Sequence, residues 1–85
     1  MLFGKPIGKV PKNKLELEVI RKKLIELRKA NNLTQRQLAK RLSVYQSYVS
    51  KVELGQKNLN IIELKDYLKG INYSLVEFIL EIEKF

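Results

Sequence analysis

Hydrophobic residues recur along the chain at helical spacing, beginning at Leu17. Ile20, Leu24 and Leu27 follow at intervals of three, four and three residues, which places all four on one face of a helix. Two consecutive asparagines, at 31–32, come next, and asparagine tolerates the left-handed backbone that often ends a helix. The pattern therefore predicts a first helix that ends near this pair.

Three capping patterns mark the starts of later helices. Thr34 precedes Gln37 by three residues, the spacing of a capping box, in which each side chain bonds the backbone of the other. The same spacing to a glutamate recurs after Asn60 and after Ser74. No segment alternates with period two for long enough to predict a strand. The sequence predicts an all-α fold of five helices, at about 15–31, 35–42, 46–53, 61–69 and 75–84.

The first thirteen residues have a different character. They contain both prolines, two of the four glycines and three lysines, without an apolar period. We expect a flexible basic arm over residues 1–13, followed by one domain over residues 14–85. Such an arm can enter a DNA minor groove, although a disordered end without function is the simpler interpretation.

The second and third predicted helices are separated by only three or four residues, which is the geometry of a helix-turn-helix. Two helices that cross steeply need a small residue at the crossing, and Ala39 supplies it. The apolar residues expected to be buried there are Leu38, Leu42, Val44, Val49 and Val52. The residues then left facing outward on the third helix are Gln46, Ser47, Ser50 and Lys51. Glutamine and lysine can hydrogen-bond base edges in a major groove about 12 Å wide.

The distribution of charge favours a polyanionic partner. The net charge is +8, but residues 1–57 hold fourteen bases and four acids, while residues 58–85 hold three bases and five acids. The chain has no cysteine and no histidine, which argues against disulfides, the usual metal sites and most acid–base catalysis. We expect no cofactor, metal or small-molecule ligand. No stretch resembles a membrane span or a signal peptide, so we expect a cytoplasmic protein.

Several short motifs stand in order along residues 20–80. They are Leu27-Arg28, Leu33-Thr34-Gln35 with Leu38-Ala39, and Val49-Ser50-Lys51-Val52-Glu53 with Gly55. In this order the chain resembles the Cro and lambda-repressor type of helix-turn-helix protein, also called the XRE family. The resemblance implies a five-helix, lambda-repressor-like fold. It also implies sequence-specific binding of double-stranded DNA by a small transcription regulator.

The resemblance also implies roles for individual residues, with the third helix as the recognition helix. The expected base contacts are Gln46, Ser47, Tyr48 and Lys51. The expected phosphate contacts are Gln35 at the start of the second helix and Gln56, Lys57 and Asn58 after the third. The basic residue Arg36 is a further phosphate candidate, with a solvated surface charge as the alternative. Arg28 and Glu53 are expected to form a structural ion pair, and a phosphate contact by Arg28 is a secondary possibility.

Three positions depart from the family pattern. Ser43 stands at the turn position usually held by glycine, where a positive φ costs a serine on the order of 1 kcal/mol. Tyr45 replaces the serine or threonine that usually caps the recognition helix, at a cost of roughly 1 kcal/mol. Gly70 lies where the fourth helix usually continues, which predicts an early end to that helix.

The last helix is apolar over most of its surface, more than a small core requires. We expect it to cover the core and also to form a homodimer interface. The expected interface residues are Leu75, Ile79, Ile82 and Phe85. A dimer would place two recognition helices about 34 Å apart, which suits a palindromic operator.

Within DNA binding, three roles fit equally well: a repressor, an autoregulator and a restriction-modification controller. An antitoxin with a toxin partner is a further alternative. A protein-interaction adaptor of the same fold, without DNA binding, is the rival from another class. An enzyme is the least favoured reading, because neither histidine nor cysteine is available for catalysis.

Overall fold

The computed structural model describes residues 9–84, with the surroundings of side chains from residue 15 onward. This part of the chain contains five helices and no strand, which confirms the all-α prediction. The helices are α1 (Lys9–Ala30), α2 (Gln35–Leu42), α3 (Gln46–Glu53), α4 (Ile61–Gly70) and α5 (Leu75–Ile82). The later four begin at the predicted residues because local side-chain bonds or a short turn fix those starts.

The first helix begins at Lys9, six residues before its predicted start. Residues 9–13 of the predicted arm are therefore helical, and residues 1–8 lie outside the described residues. Pro11 is compatible with this start, because the first turn of a helix has no internal partner for its N–H groups. The placement of Leu17 on the core face was wrong, since 46% of it is exposed. The core begins one turn later, near Ile20.

All five helices contribute to one hydrophobic core. It is formed by Leu24, Leu27, Leu33, Leu38, Ala39, Val49, Val52, Tyr67, Leu68, Ile71 and Phe78. α3 packs against α1 and α2, while α4 packs against α2 and α5. The third helix is thus the one whose inner face is covered by the two helices that precede it. Its outer face remains open.

A residue with left-handed backbone follows each of the first four helices within two positions: Asn32, Ser43, Gly55 and Asn72. At the end of α2, the Val44 amide donates to the Ala39 carbonyl at 3.0 Å, and the Ser43 amide to the Lys40 carbonyl at 3.2 Å. This pair of bonds is a Schellman motif. Ser43 has φ 58°, so the serine occupies the strained position anticipated from the sequence. The motif turns the chain sharply between α2 and α3.

Gly70 is the last residue of α4, so the helix does not end before it. A Cβ atom at this position would lie 2.7 Å from Leu42 Cδ2 and 3.0 Å from Leu38 Cδ1. The glycine therefore allows α4 to approach α2 closely. The Arg41 guanidinium adds a hydrogen bond to the Gly70 carbonyl at 3.1 Å.

The last helix is attached to the first by an ion pair. Lys23 Nζ lies 2.7 Å from Glu81 Oε1. Lys23 and the Tyr73 hydroxyl both lower the pKa of the Glu81 carboxyl, and Glu81 in turn raises the pKa of Lys23. Within residues 9–84, no helix has the length and hydrophobicity needed to cross a lipid bilayer.

Candidate nucleic-acid interface

The outer face of α3 is polar and accessible. Gln46, Ser47 and Lys51 are exposed, whereas Val49 and Val52 on the inner face are buried. The burial of one side thus leaves three of the four predicted base-contact residues facing solvent. Lys51 forms no ion pair within the described part of the chain, so its charge is available to a ligand.

The start of α3 has no side-chain cap. Tyr45 occupies the capping position with an extended backbone, makes no capping hydrogen bond, and is 86% exposed. The prediction that tyrosine cannot cap here is confirmed. A large exposed aromatic ring therefore stands at the start of α3.

Tyr48, the fourth predicted base-contact residue, is half-buried and packs against the core. Burial raises the pKa of its phenol. It lines an open groove of about 710 Å³ beside α3. The other residues of this groove are Ser43, Val44, Tyr45, Ser47, Lys51 and Lys57. The structure therefore brings residues predicted for base contacts together with one predicted for a phosphate contact.

The predicted phosphate contacts lie on both sides of α3 in the chain. Arg36 is exposed in the first turn of α2, and it has no ion pair among residues 15–84. Gln56 and Asn58 are exposed in the loop that follows α3, and Lys57 between them is half-exposed. Hydrogen-bond donors that are at least partly exposed thus precede α3 in the chain, at Arg36, and follow it, in the loop at residues 56–58.

Gln35 makes an internal contact instead of leaving its side chain free. Its Nε2 atom donates to Glu53 Oε1 at 2.9 Å, and the residue is half-buried. One of the two N–H groups of the Gln35 side-chain amide is therefore bound to a carboxylate of α3. At the start of α2 the Gln37 amide donates to Thr34 Oγ1 at 3.1 Å, whereas the amides of Gln35 and Arg36 have no acceptor within the helix, as at any helix start.

Glu53, the last residue of α3, forms a buried ion pair with Arg28 of α1. Arg28 Nε donates to Oε2 at 2.6 Å and Nη2 donates to Oε1 at 3.1 Å. The two residues are only 9% and 6% exposed. The remaining guanidinium nitrogen, Nη1, donates to the Leu33 carbonyl at 2.6 Å. With its donors used inside the protein, Arg28 is not accessible to a DNA phosphate.

A second arginine of α1 also holds the end of α3. Arg21 Nη1 donates to the Glu53 backbone carbonyl at 2.9 Å, and its Nη2 pairs with Glu18. In the sequence, Arg21 is a basic residue that lies off the apolar face of the first helix. Nothing in the pattern pairs it with a carbonyl thirty-two residues away. Arg21, Arg28 and Gln35 together fix the C-terminal end of the recognition helix to α1 and α2.

Lys57 is paired with Glu63, for which the sequence predicts only a capping role. Its Nζ atom lies 3.2 Å from Glu63 Oε1 and 3.1 Å from Oε2, and 5.9 Å from the centre of the Tyr48 ring. The Asn60 backbone amide, followed by Lys57, lowers the pKa of the Glu63 carboxyl. The predicted phosphate contact is therefore already neutralised by an internal anion.

The exposed apolar surface of α5 differs from the predicted interface. Leu75 and Ile82 are partly buried and pack against the core, while Ile79 is 38% exposed. Phe85 lies outside the described residues. Val76 and Leu80 are the more accessible, at 66% and 60%. We call Val76, Ile79 and Leu80 the α5 strip.

A family model described as helix-turn-helix matches residues 24–78 of this chain. The chain belongs to the XRE type of helix-turn-helix proteins. The matched residues run from the second half of α1 to the middle of α5 and include the whole of α2, α3 and α4. The expectation drawn from the motifs in the sequence is thereby confirmed.

Solved structures of this family resemble the chain closely. An XRE-family like protein from Pseudomonas syringae pv. tomato str. DC3000 is 30% identical, with a TM-score of 0.87 over 91% of this chain and 94% of that protein. The wild-type restriction-modification controller protein C.Esp1396I is 29% identical, with a TM-score of 0.66 over 81% of this chain and 87% of that one. A point mutant of that controller reaches a TM-score of 0.75 at 27% identity, over 82% and 93%. No curated protein has a significantly similar sequence.

Family and fold together make this an all-α, DNA-binding helix-turn-helix protein and not an enzyme. The helix-turn-helix consists of α2 and α3, joined by the turn at Ser43. In this arrangement the first helix braces the second, and the second offers its outer face to a ligand.

Proposed function

We propose that this protein is a cytoplasmic transcription regulator that inserts α3 into the major groove of double-stranded DNA and represses or autoregulates its target. The observation that carries the proposal is the division of α3 into two faces. On one face Val49 and Val52 are buried in the core. The other face presents Gln46, Ser47 and Lys51 to solvent, and the C-terminal end of the helix is held by hydrogen bonds to α1 and α2. An α-helix with a polar outer face fits into a major groove about 12 Å wide.

In this proposal, two sets of residues have separate tasks. Gln46, Ser47 and Lys51 read base edges, and glutamine and lysine suit the acceptor and donor patterns of adenine and guanine respectively. Tyr48 contacts the margin of the groove. The second set holds phosphates and fixes the register of the protein without reading sequence. It consists of Arg36, the first-turn backbone of α2 at Gln35, and the loop residues Gln56, Lys57 and Asn58.

We further propose that two copies associate through the α5 strip and bind a palindromic operator. Three apolar residues on one short helix are exposed beside a region with a net negative charge, which keeps this surface away from DNA. A two-fold dimer places its recognition helices one helical turn apart, about 34 Å. The likeness to a restriction-modification controller makes a controller of that kind the favoured biological role.

The test is a selection of bound duplexes from a random DNA pool at about 150 mM salt, where purely electrostatic binding is weak. We expect enrichment of a palindrome with half-sites near one helical turn. An unenriched pool, with binding abolished by a modest increase in salt, would refute sequence-specific regulation. The adaptor function would then be favoured.

Two substitutions test the division of tasks on the selected duplex. Gln46→Ala should lose discrimination at one base pair, by roughly 1–3 kcal/mol. Arg36→Ala should weaken binding to all duplexes about equally and reduce the salt slope by about 0.9. Lys84→Ala is the matched control. It removes the same charge from the acidic segment of residues 58–85, and the affinity for DNA should change little. Equal behaviour of the Gln46 and Arg36 variants would contradict the assignment.

A further inference from the structure

Lys57, which borders the groove beside α3, has an anionic partner before any DNA arrives. Both carboxylate oxygens of Glu63 lie within 3.2 Å of its ammonium nitrogen. A DNA phosphate presents oxygens of the same charge to the same kind of donor. Lys57 therefore cannot add a full positive charge to the interface while Glu63 holds it.

We propose that Glu63 is an intramolecular competitor of the DNA backbone, which occupies Lys57 in the free protein and lowers the affinity for every duplex. This inference rests on the proposed function, in which Lys57 contacts phosphate. It concerns a residue on α4 that belongs to neither half of the helix-turn-helix. Its effect is on the strength and salt dependence of binding, not on the sequence preferred.

The backbone holds Glu63 in place independently of Lys57. Its Oε1 atom accepts from the Asn60 amide at 3.0 Å, and Asn60 Oδ1 accepts from the Glu63 amide at 2.8 Å. This capping box fixes the side chain at the start of α4. When a phosphate attracts Lys57, the carboxylate does not leave with it. A phosphate can therefore bind Lys57 only by displacing a carboxylate that stays in place.

The same contacts keep Glu63 ionised. The Asn60 amide and Lys57 lower the pKa of its carboxyl, so the competing charge is present throughout the neutral range. Lys57 Nζ also lies 5.9 Å from the centre of the Tyr48 ring, and Lys57 lines the same groove as Ser47 and Lys51. Lys51 is a like charge and does not replace Glu63 as a partner.

The decisive variant is Glu63→Gln. Glutamine retains the oxygen that accepts from the Asn60 amide, so the capping box persists and only the charge is lost. Because a phosphate no longer has to displace a carboxylate from Lys57, and that pair is only moderately strong in a water-like medium, binding should be about three- to tenfold tighter. Freeing one lysine to neutralise a phosphate predicts a salt slope steeper by about 0.9.

Glu77→Gln is the matched control. Glu77 occupies the same third position of a capped helix, its amide donates to Ser74 Oγ, and its substitution changes net charge by the same amount. It lies on α5, away from the groove residues. We expect its affinity to stay within about twofold of the wild type, with an unchanged salt slope.

A double substitution identifies the route of the effect. In a Lys57→Ala background, Glu63→Gln should no longer tighten binding, since the competitor then has no lysine to occupy. A gain that persists in that background would show general repulsion and overturn the proposal. Equal affinities for Glu63→Gln and Glu77→Gln, with wild-type binding intact, would overturn it as well. If the wild type binds no duplex, the proposed function fails and this inference fails with it.

Discussion

The contribution of the buried ion pair between Arg28 and Glu53 to stability can be tested by removing the charge of Glu53. Glu53→Gln keeps the shape of the side chain and removes its charge, so the buried Arg28 loses its counterion. Losing one partner of a buried pair costs about 3–5 kcal/mol. The glutamine oxygen can still accept one hydrogen bond, so we expect a loss near the lower limit, about 3 kcal/mol. This is a large share of the roughly 5–15 kcal/mol that keeps a domain folded.

Urea unfolding followed by circular dichroism at 25 °C measures this loss as a shift in midpoint at constant slope. The double variant Arg28→Met with Glu53→Leu replaces both charges by apolar groups, and it leaves the Leu33 carbonyl and the Gln35 amide without partners. We expect it to lose about 1–3 kcal/mol, less than the single variant. Glu77→Gln on the surface is the control for net charge. A single variant within about 0.5 kcal/mol of the wild type would refute the reasoning.

Three further substitutions follow from backbone and packing. Ser43→Gly should stabilise the fold by about 1 kcal/mol in urea unfolding, because glycine adopts φ 58° without a Cβ clash; no gain would contradict strain at this turn. Gly70→Ala should cost about 1–3 kcal/mol by the same assay, because its Cβ would overlap Leu42 and Leu38; a stabilised protein would show that α4 can move away. Tyr67→Phe should stabilise by about 1 kcal/mol, since the hydroxyl is buried without a hydrogen-bond partner in the described residues. Burial raises the pKa of this phenol, so wild-type stability should fall as pH rises above about 10, and an equal fall in the phenylalanine variant would contradict that origin.

Features fixed by neighbours in sequence were predictable. The capping boxes of Thr34 with Gln37 and of Asn60 with Glu63 form as expected, because both partners lie within one turn. The left-handed backbone at Ser43 was anticipated from the family resemblance, since glycine usually holds this turn position. Short-range patterns of this kind located four helix starts and the turn of the helix-turn-helix.

Features that depend on distant partners were not predictable from the pattern. The sequence marks Gln35 as a polar residue at a helix start, but it does not show that Glu53 lies 2.9 Å away. The pairing of Lys57 with Glu63 depends on the path of the loop that joins α3 to α4. Periodicity identifies the face on which a residue lies, and only the packing of helices identifies its partner.

The first and last helices show the limits of hydrophobic periodicity. The early turns of α1 extend beyond the core, so no apolar period was needed to form them, and the predicted start was six residues late. In α5, apolar residues surround the axis, so the pattern could not separate the core face from the exposed one. In the structure Phe78 is buried in the core, and Leu75 and Ile82 are partly buried against it.

Among the residues that the structure describes, some bases are paired with acids inside the fold and others are not. Bases with a structural role are matched by acids: Arg28 with Glu53, and Lys23 with Glu81. Arg36 and Lys51, beside and on the recognition helix, are exposed and have no ion pair within residues 15–84. In the proposed function these two bases are therefore available to the DNA backbone, whereas Arg28 and Lys23 are already compensated inside the protein.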